Sequence, residues 1–146
     1  MIRQAVKEDL NKILDLYKFL FPDEDYALNE NYIKTWEAII GSWDIVRYFV
    51  CEEDNKIICS ACISVIPNLT RNNRPYALIE NIITHPDYRR KGYGRGVMQK
   101  CIEYAKSRNC HKIMLLSSAF RKDAHKFYKN IGFDSKSKQG FQIRLI

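Results

Sequence analysis

Between Tyr76 and Ser117 the chain follows a pattern that few folds can satisfy. Tyr76 to Thr84 is an apolar run of strand length that carries one charge, Glu80. A basic, glycine-containing turn follows, Arg89-Arg90-Lys91-Gly92-Tyr93-Gly94-Arg95-Gly96. Val97, Met98, Cys101, Ile102 and Ala105 then recur at helical spacing, and Lys112 to Ser117 makes a short apolar strand. A strand, helix, strand unit of this length demands parallel pairing through a right-handed crossover. An all-helical or purely antiparallel fold is thereby excluded, and the class is α/β.

The flanking segments read as follows. A short strand at Ile2 to Ala5 precedes an amphipathic helix on which Leu10, Ile13, Leu14, Tyr17, Leu20 and Phe21 share one face before Pro22. The acidic loop Asp23-Glu24-Asp25 leads to a second helix, marked by Tyr32, Ile33, Trp36, Ile39 and Ile40 and stopping near Gly41. Strands at Arg47 to Glu52 and Ile57 to Ile66 are joined by Glu53-Asp54-Asn55-Lys56 as a hairpin, and Asn68 to Pro75 is a polar loop. After the parallel unit, Ala124, Phe127, Tyr128 and Ile131 form one stripe of a last helix that Gly132 ends as a left-handed cap. Phe133 to Ile146 is expected to close the sheet as an antiparallel hairpin turning through Ser135-Lys136-Ser137-Lys138-Gln139. With 146 residues, no repeat and no linker, residues 1–146 are expected to form a single domain.

Charge narrows the function classes. Residues 1–73 carry a net charge of −4 and residues 74–146 a net charge of +11. The second half is suited to an anion, which could be nucleic acid or a phosphorylated small molecule. No RNP or helix-turn-helix pattern accompanies the basic residues, which argues against nucleic acid. Ile57 to Thr70, the longest stretch without charge, is too short to span a membrane, and Arg3, Lys7, Glu8 and Asp9 stand where a signal peptide would be apolar. A cytoplasmic location is expected. Five cysteines, Cys51, Cys59, Cys62, Cys101 and Cys110, are an odd set; Cys59 and Cys62 lie within a strand, which favours plain burial over metal or redox chemistry. His85, His111 and His125 show no metal-ligand spacing, so no metal is expected.

In the turn after the central strand, glycines allow close backbone approach, the helix start offers free N–H groups and the cations add charge, a combination suited to phosphate. The turn matches neither a P-loop nor a dinucleotide fingerprint, because Val97 stands where the third glycine should be. The run from Ile79 to Gly94 closely resembles the acetyl-CoA signature of the Gcn5-related N-acetyltransferases, [Arg/Gln]-x-x-Gly-x-[Gly/Ala] after the fourth strand. Ala124-His125-Lys126-Phe127-Tyr128-Lys129-Asn130-Ile131-Gly132-Phe133 resembles that family's Ala-x-x-Phe-Tyr-x-x-x-Gly-Phe ending.

The resemblance implies an α/β acetyltransferase fold: a mixed, mostly antiparallel sheet with a splayed parallel pair at strands four and five, flanked by about four helices. It implies acetyl-CoA as co-substrate, its pantetheine arm on the backbone of Ile82, Ile83 and Thr84. Amides from Arg90 through Lys91, Gly92, Tyr93 and Gly94 to Arg95 would wrap the pyrophosphate, with Arg89, Arg90 and Lys91 supplying charge. Tyr128 matches the tyrosine that protonates the departing thiolate, although its spacing alone fits a core stripe. Glu80 is the candidate base, with a structural ion pair as its alternative; Leu78, at a base position used by some members, cannot serve. Arg121 stands where many members carry a cofactor-contacting asparagine, and could reach a phosphate.

The expected function is direct N-acetylation of a primary amine on a small molecule or peptide. The alternative is an acyl-CoA-binding regulatory domain without turnover. The acidic loop, between helices that border the acceptor cleft in similar folds, points to a cationic acceptor such as a polyamine, an aminoglycoside-like amine or a basic peptide. Edge strands at the carboxyl end are compatible with a homodimer.

Overall fold

A computed structural model describes all residues, 1–146. The elements, in chain order, are β1 (Ile2–Gln4), α1 (Leu10–Tyr17), α2 (Glu30–Ile40), β2 (Val46–Glu53), β3 (Lys56–Ile66), α3 (Thr70–Asn73), β4 (Tyr76–Thr84), α4 (Tyr93–Ser107), β5 (Ile113–Met114) and α5 (Lys122–Ile131). Contacts divide the chain into two compact units, Met1–Met114 and Leu115–Ile146.

In the first unit the five strands form one sheet in the order β1-β2-β3-β4-β5. Every pairing is antiparallel except β4 with β5, which is parallel, as the strand, helix, strand reading requires. The β2–β3 hairpin turns on Asp54 and Asn55 at φ of +46° and +61°, a conformation that short polar side chains tolerate and that matches the strand twist. One face of the sheet meets α1 and α2, where Ile13, Leu16, Trp36, Tyr48, Val50 and Ile83 pack into a common core. The other face meets α4, whose Val97, Met98 and Cys101 are completely buried. Gly96 faces the Ile2 side chain, whose Cδ1 would have to move aside for a Cβ there.

The amino-terminal edge is tied by charge. Asp9 is 2% exposed, yet its carboxylate takes Arg3 Nη1 at 2.6 Å, Arg3 Nη2 at 2.9 Å and the Val6 N–H at 2.8 Å. Arg3 also reaches Glu52 Oε2 at 2.6 Å, and Lys12 Nζ reaches Glu52 Oε1 at 2.8 Å. Burial would raise the Asp9 carboxyl, but Arg3 and the Val6 amide outweigh it and hold it below its ordinary value. Lys12 and then Arg3 bring Glu52 down to about 2.

Several expectations need correction. α1 ends at Tyr17 rather than Phe21, because Leu20 and Phe21 both bond back to the Tyr17 carbonyl in a tight turn ahead of Pro22. α2 starts earlier, at Glu30, because the Asn29 side chain caps the amides of Asn31 and Tyr32. The expected polar loop contains α3, a single turn with Arg71 and Asn72 in left-handed backbone. β5 shrinks from Lys112–Ser117 to Ile113–Met114.

The second unit holds α5, whose Gly132 has φ of +118° and closes the helix as expected. The closing hairpin at Phe133 to Ile146 is absent, as residues 134–146 form no strand. Phe141, Ile143 and Leu145 do alternate, but they are at least 84% exposed. Alternation selects a face without supplying a partner edge, and Asp134 turns the chain early by accepting the Lys136 amide at 2.8 Å.

Arg3→Ala would leave Asp9 buried without its counter-charge and should cost about 3 kcal/mol in urea unfolding. Depressed carboxyls stabilise the fold above their ordinary values. The wild-type chain should therefore keep its stability above pH 4.5 and lose it between 4.5 and about 2. Arg3→Ala should flatten that slope, measurable as urea midpoints across the acid range.

Candidate functional site

β4 positions most of the chemistry, and its two edges are treated differently. Toward β3 it is paired along nearly its whole length, from Tyr76 to Thr84. Toward β5 it is paired only at Ala77 with Ile113 and Leu78 with Met114. From Ile79 onward the second edge has no strand partner.

The same stretch is bent. The β3–β4 register shifts between Ser60 and Cys62, placing Asn81 and Ile82 opposite Ala61 alone. Asn81 takes φ of +53° to make this bulge, and bulges of this kind bend a strand and re-aim its side chains. Ile83 then points into the core while Ile82 and Thr84 remain half-buried. Thr84 Oγ1 lies 3.2 Å from Cys59 Sγ, and the Thr84 carbonyl accepts Arg89 Nε at 3.2 Å.

Beyond Thr84 the chain enters the basic turn. Pro86–Tyr88 forms a short 3-10 turn with His85 Nδ1 accepting the Asp87 amide at 3.2 Å. Arg90 and Gly92 are left-handed, with φ of +63° and +87°, and Gly92 is the residue before the first turn of α4. Left-handed residues at this spacing curl successive N–H groups toward one centre, and the α4 dipole adds positive potential there. Arg89, Arg90, Lys91 and Arg95 are exposed around this concavity, and Lys91 Nζ sits 5.3 Å from the centre of the Tyr88 ring, which packs edge-on to Tyr93. Gly94 lies within the first turn of α4.

Glu80 is exposed, opposite Cys62 in the β3–β4 register, and makes no salt bridge within Met1–Met114. In the second unit Tyr128 is half-buried on α5, with its ring edge-on to Phe127 and Phe133. Burial raises its hydroxyl above the ordinary 10, partly offset by Arg121, so it stays protonated at neutral pH. Arg121 immediately precedes α5.

A feature that the sequence reading missed lies on the α1–α2 face. A cavity of about 250 Å³ opens between α1, α2, β2 and the β4 bulge, walled by Tyr17, Tyr26, Tyr32, Trp36 and Tyr48, with Glu24 and Asn81 also reaching it. Tyr17 and Trp36 lie on helical stripes and read as core; the available signals were nine tyrosines in a short chain and an asparagine inside an apolar strand.

Comparison with known proteins agrees with this geometry. A family model described as "Acetyltransferase (GNAT) family" matches residues 8–133. An uncharacterized N-acetyltransferase of Methanocaldococcus jannaschii is 32% identical over 99% of this chain and 65% of its own length. A glucosamine 6-phosphate N-acetyltransferase of Trypanosoma brucei brucei is 28% identical over 65% of this chain and 63% of its own length. The chain thus spans slightly less than two thirds of the length of these curated relatives. A solved structure assigned as an acetyltransferase, from Agrobacterium tumefaciens, superimposes with a TM-score of 0.93 at 37% identity, covering 99% of both chains.

The bulge gives a direct test. Asn81→Val places a β-branched residue in left-handed backbone and should destabilise the fold by about 1–2 kcal/mol in urea unfolding, whereas Asn81→Gly, which keeps the backbone angle and loses only the side chain beside Tyr48, should cost less.

Proposed function

The chain belongs to the GNAT acetyltransferase family, and from that premise we propose that it moves an acetyl group from acetyl-CoA directly to a primary amine of a small molecule or peptide. The observation that carries this reading is the sequence of three features along β4 and α4. An unpaired edge from Ile79 to Thr84 runs into left-handed Arg90 and Gly92 at a helix start ringed by cations. The open edge suits the pantetheine arm, which carries amide donors and acceptors and can pair with Ile82, Ile83 and Thr84 as a short added strand. Amides from Arg90 to Arg95 suit the pyrophosphate, and Arg90, Lys91 and the remaining guanidinium nitrogens of Arg89 supply charge, with Arg121 a further phosphate contact.

Acetyl-CoA supplies a thioester carbonyl. The amine nitrogen forms a bond to that carbon, the carbon–sulfur bond breaks, and the sulfur leaves with the bonding pair. Glu80, solvated and without an ion-pair partner in its unit, takes the proton that the amine loses. Tyr128, whose hydroxyl burial keeps protonated, gives a proton to the leaving thiolate and recovers it from solvent. Small amines are supported as acceptors by the relative named for glucosamine 6-phosphate. A cationic acceptor is supported by Glu24, which reaches the aromatic cavity from the acidic loop.

Release of free CoA thiol on mixing with acetyl-CoA and amines separates transfer from acyl-CoA binding alone. Gly94→Glu should abolish acetyl-CoA binding by calorimetry while circular dichroism stays unchanged, because the added carboxylate would stand in the phosphate concavity. Tyr128→Phe should lower kcat about ten- to a thousandfold with little change in the KM for acetyl-CoA. Glu80→Gln should lose rate chiefly near neutral pH and recover in part at alkaline pH, where more of the amine is already deprotonated.

A further inference from the structure

The aromatic cavity has two chemically different ends. Its β4 end is polar. Asn81 enters from the bulge, and the Tyr48 and Tyr17 hydroxyls lie beside it, with Ser60 and Cys62 beneath. The Tyr17 hydroxyl is fully buried, and its interactions with its neighbours Tyr48 and Ser60 do not reach good hydrogen-bond geometry, which leaves it and the Ser60 hydroxyl under-satisfied. A buried hydroxyl with poorly made bonds is destabilising, and a ligand that bonds it well relieves this. Burial, with Tyr48 and Cys62 as neighbours, pushes the Tyr17 phenol well above its ordinary value, so it meets a ligand in the neutral form.

The helix end is walled chiefly by rings, with Glu24 at its margin accepting from the Tyr26 hydroxyl at 3.1 Å. Tyr26 and Tyr32 stack at 6.4 Å between ring centres, Tyr17 meets Tyr26 edge-on at 6.1 Å, and Trp36 meets Tyr48 edge-on at 5.2 Å. Two of these rings are pinned by their polar tips: Tyr32 donates to the Asp25 carbonyl at 2.6 Å, and Trp36 Nε1 to the Lys7 carbonyl at 3.0 Å. At about 250 Å³ the space falls below the roughly 300–1,000 Å³ of sites that take drug-sized ligands, and it suits one ring-sized apolar group. Aromatic walls favour a flat apolar body, offer cation–π attraction to an ammonium, and leave the hydroxyls of a sugar without partners.

Resting on the transferase reading above, we propose that the acceptor is an arylalkylamine: its aromatic ring lies among Tyr26, Tyr32 and Trp36, and its amine points to β4, where the Tyr17 hydroxyl takes one N–H. Glu80, the single carboxylate of β4, adjoins the bulge residue Asn81 and stands opposite Cys62, so an amine held at that end of the cavity is directed toward the strand that carries the proposed base. Tyr17 is then a positioning residue for the amine, and the ring-binding residues set specificity.

The test uses 2-phenylethylamine against 1,4-diaminobutane and glucosamine. In turnover with acetyl-CoA, 2-phenylethylamine should exceed both by at least about tenfold in kcat/KM. Thr35, exposed on α2 at the cavity wall, can be enlarged without disturbing the core. Thr35→Trp should raise the KM for 2-phenylethylamine about tenfold or more and leave the acetyl-CoA KM unchanged. Tyr17→Phe should raise the amine KM about three- to tenfold. Calorimetry of 2-phenylethylamine without acetyl-CoA reads the cavity independently of turnover. Binding that Thr35→Trp abolishes supports the proposal even if no acetyl transfer occurs, in which case only the transferase reading fails. Preferred acetylation of 1,4-diaminobutane or glucosamine, or 2-phenylethylamine binding indifferent to Thr35→Trp, overturns the proposal and leaves the transferase reading standing.

Discussion

A strand that is paired on one side along nearly its whole length and on the other for only two residues is the constraint from which the site follows. Backbone N–H and C=O groups that lose water must find partners, so an open edge inside a sheet persists only where solvent or a ligand can reach it. β4 keeps such an edge after Leu78, and the left-handed Asn81 bends the strand just beyond the last β5 contact. The core is organised to tolerate this. β3 holds β4 from one side, α4 supports one face through Val97 and Met98, and α1 supports the other. The open edge, the basic turn and the aromatic cavity all border this one strand.

Two kinds of charge serve different ends in the molecule. The Arg3, Asp9, Glu52 and Lys12 network is buried or half-buried, with each carboxylate held by at least two donors, and it fixes the amino-terminal edge. Arg90 and Lys91 of the basic turn are exposed beside a helix start, where their potential reaches solvent. The sequence-level split of −4 and +11 between the halves merges these two roles, because net charge carries no information about burial.

Legibility in the sequence followed the range of the interactions. β4 could be bounded at both ends because an apolar run of strand length is a local signal, and the cap at Gly132 because a left-handed glycine is local too. The turn from Arg89 to Gly96 was recognisable because a helix start, glycines and cations act within a few residues of one another. β5 was read too long and Phe133 to Ile146 was read as a hairpin because strand patterning names a face and leaves the partner unspecified. The cavity was hidden for a related reason. Tyr17 and Trp36 sit at spacings that serve a packed core equally well, and the bulge that opens the space depends on one backbone angle at Asn81.

The β4–β5 pair has a kinetic consequence. β2, β3 and β4 are joined by short connections and can zip together early, since little loop entropy is lost in closing each turn. β5 can join only after α4 has folded across the sheet, and two parallel residue pairs then return little for the longer closure. Ile113 and Met114 therefore belong to the part of the sheet that forms last and opens first, with amides that exchange by local fraying long before those of Val50 or Ile63 at its centre.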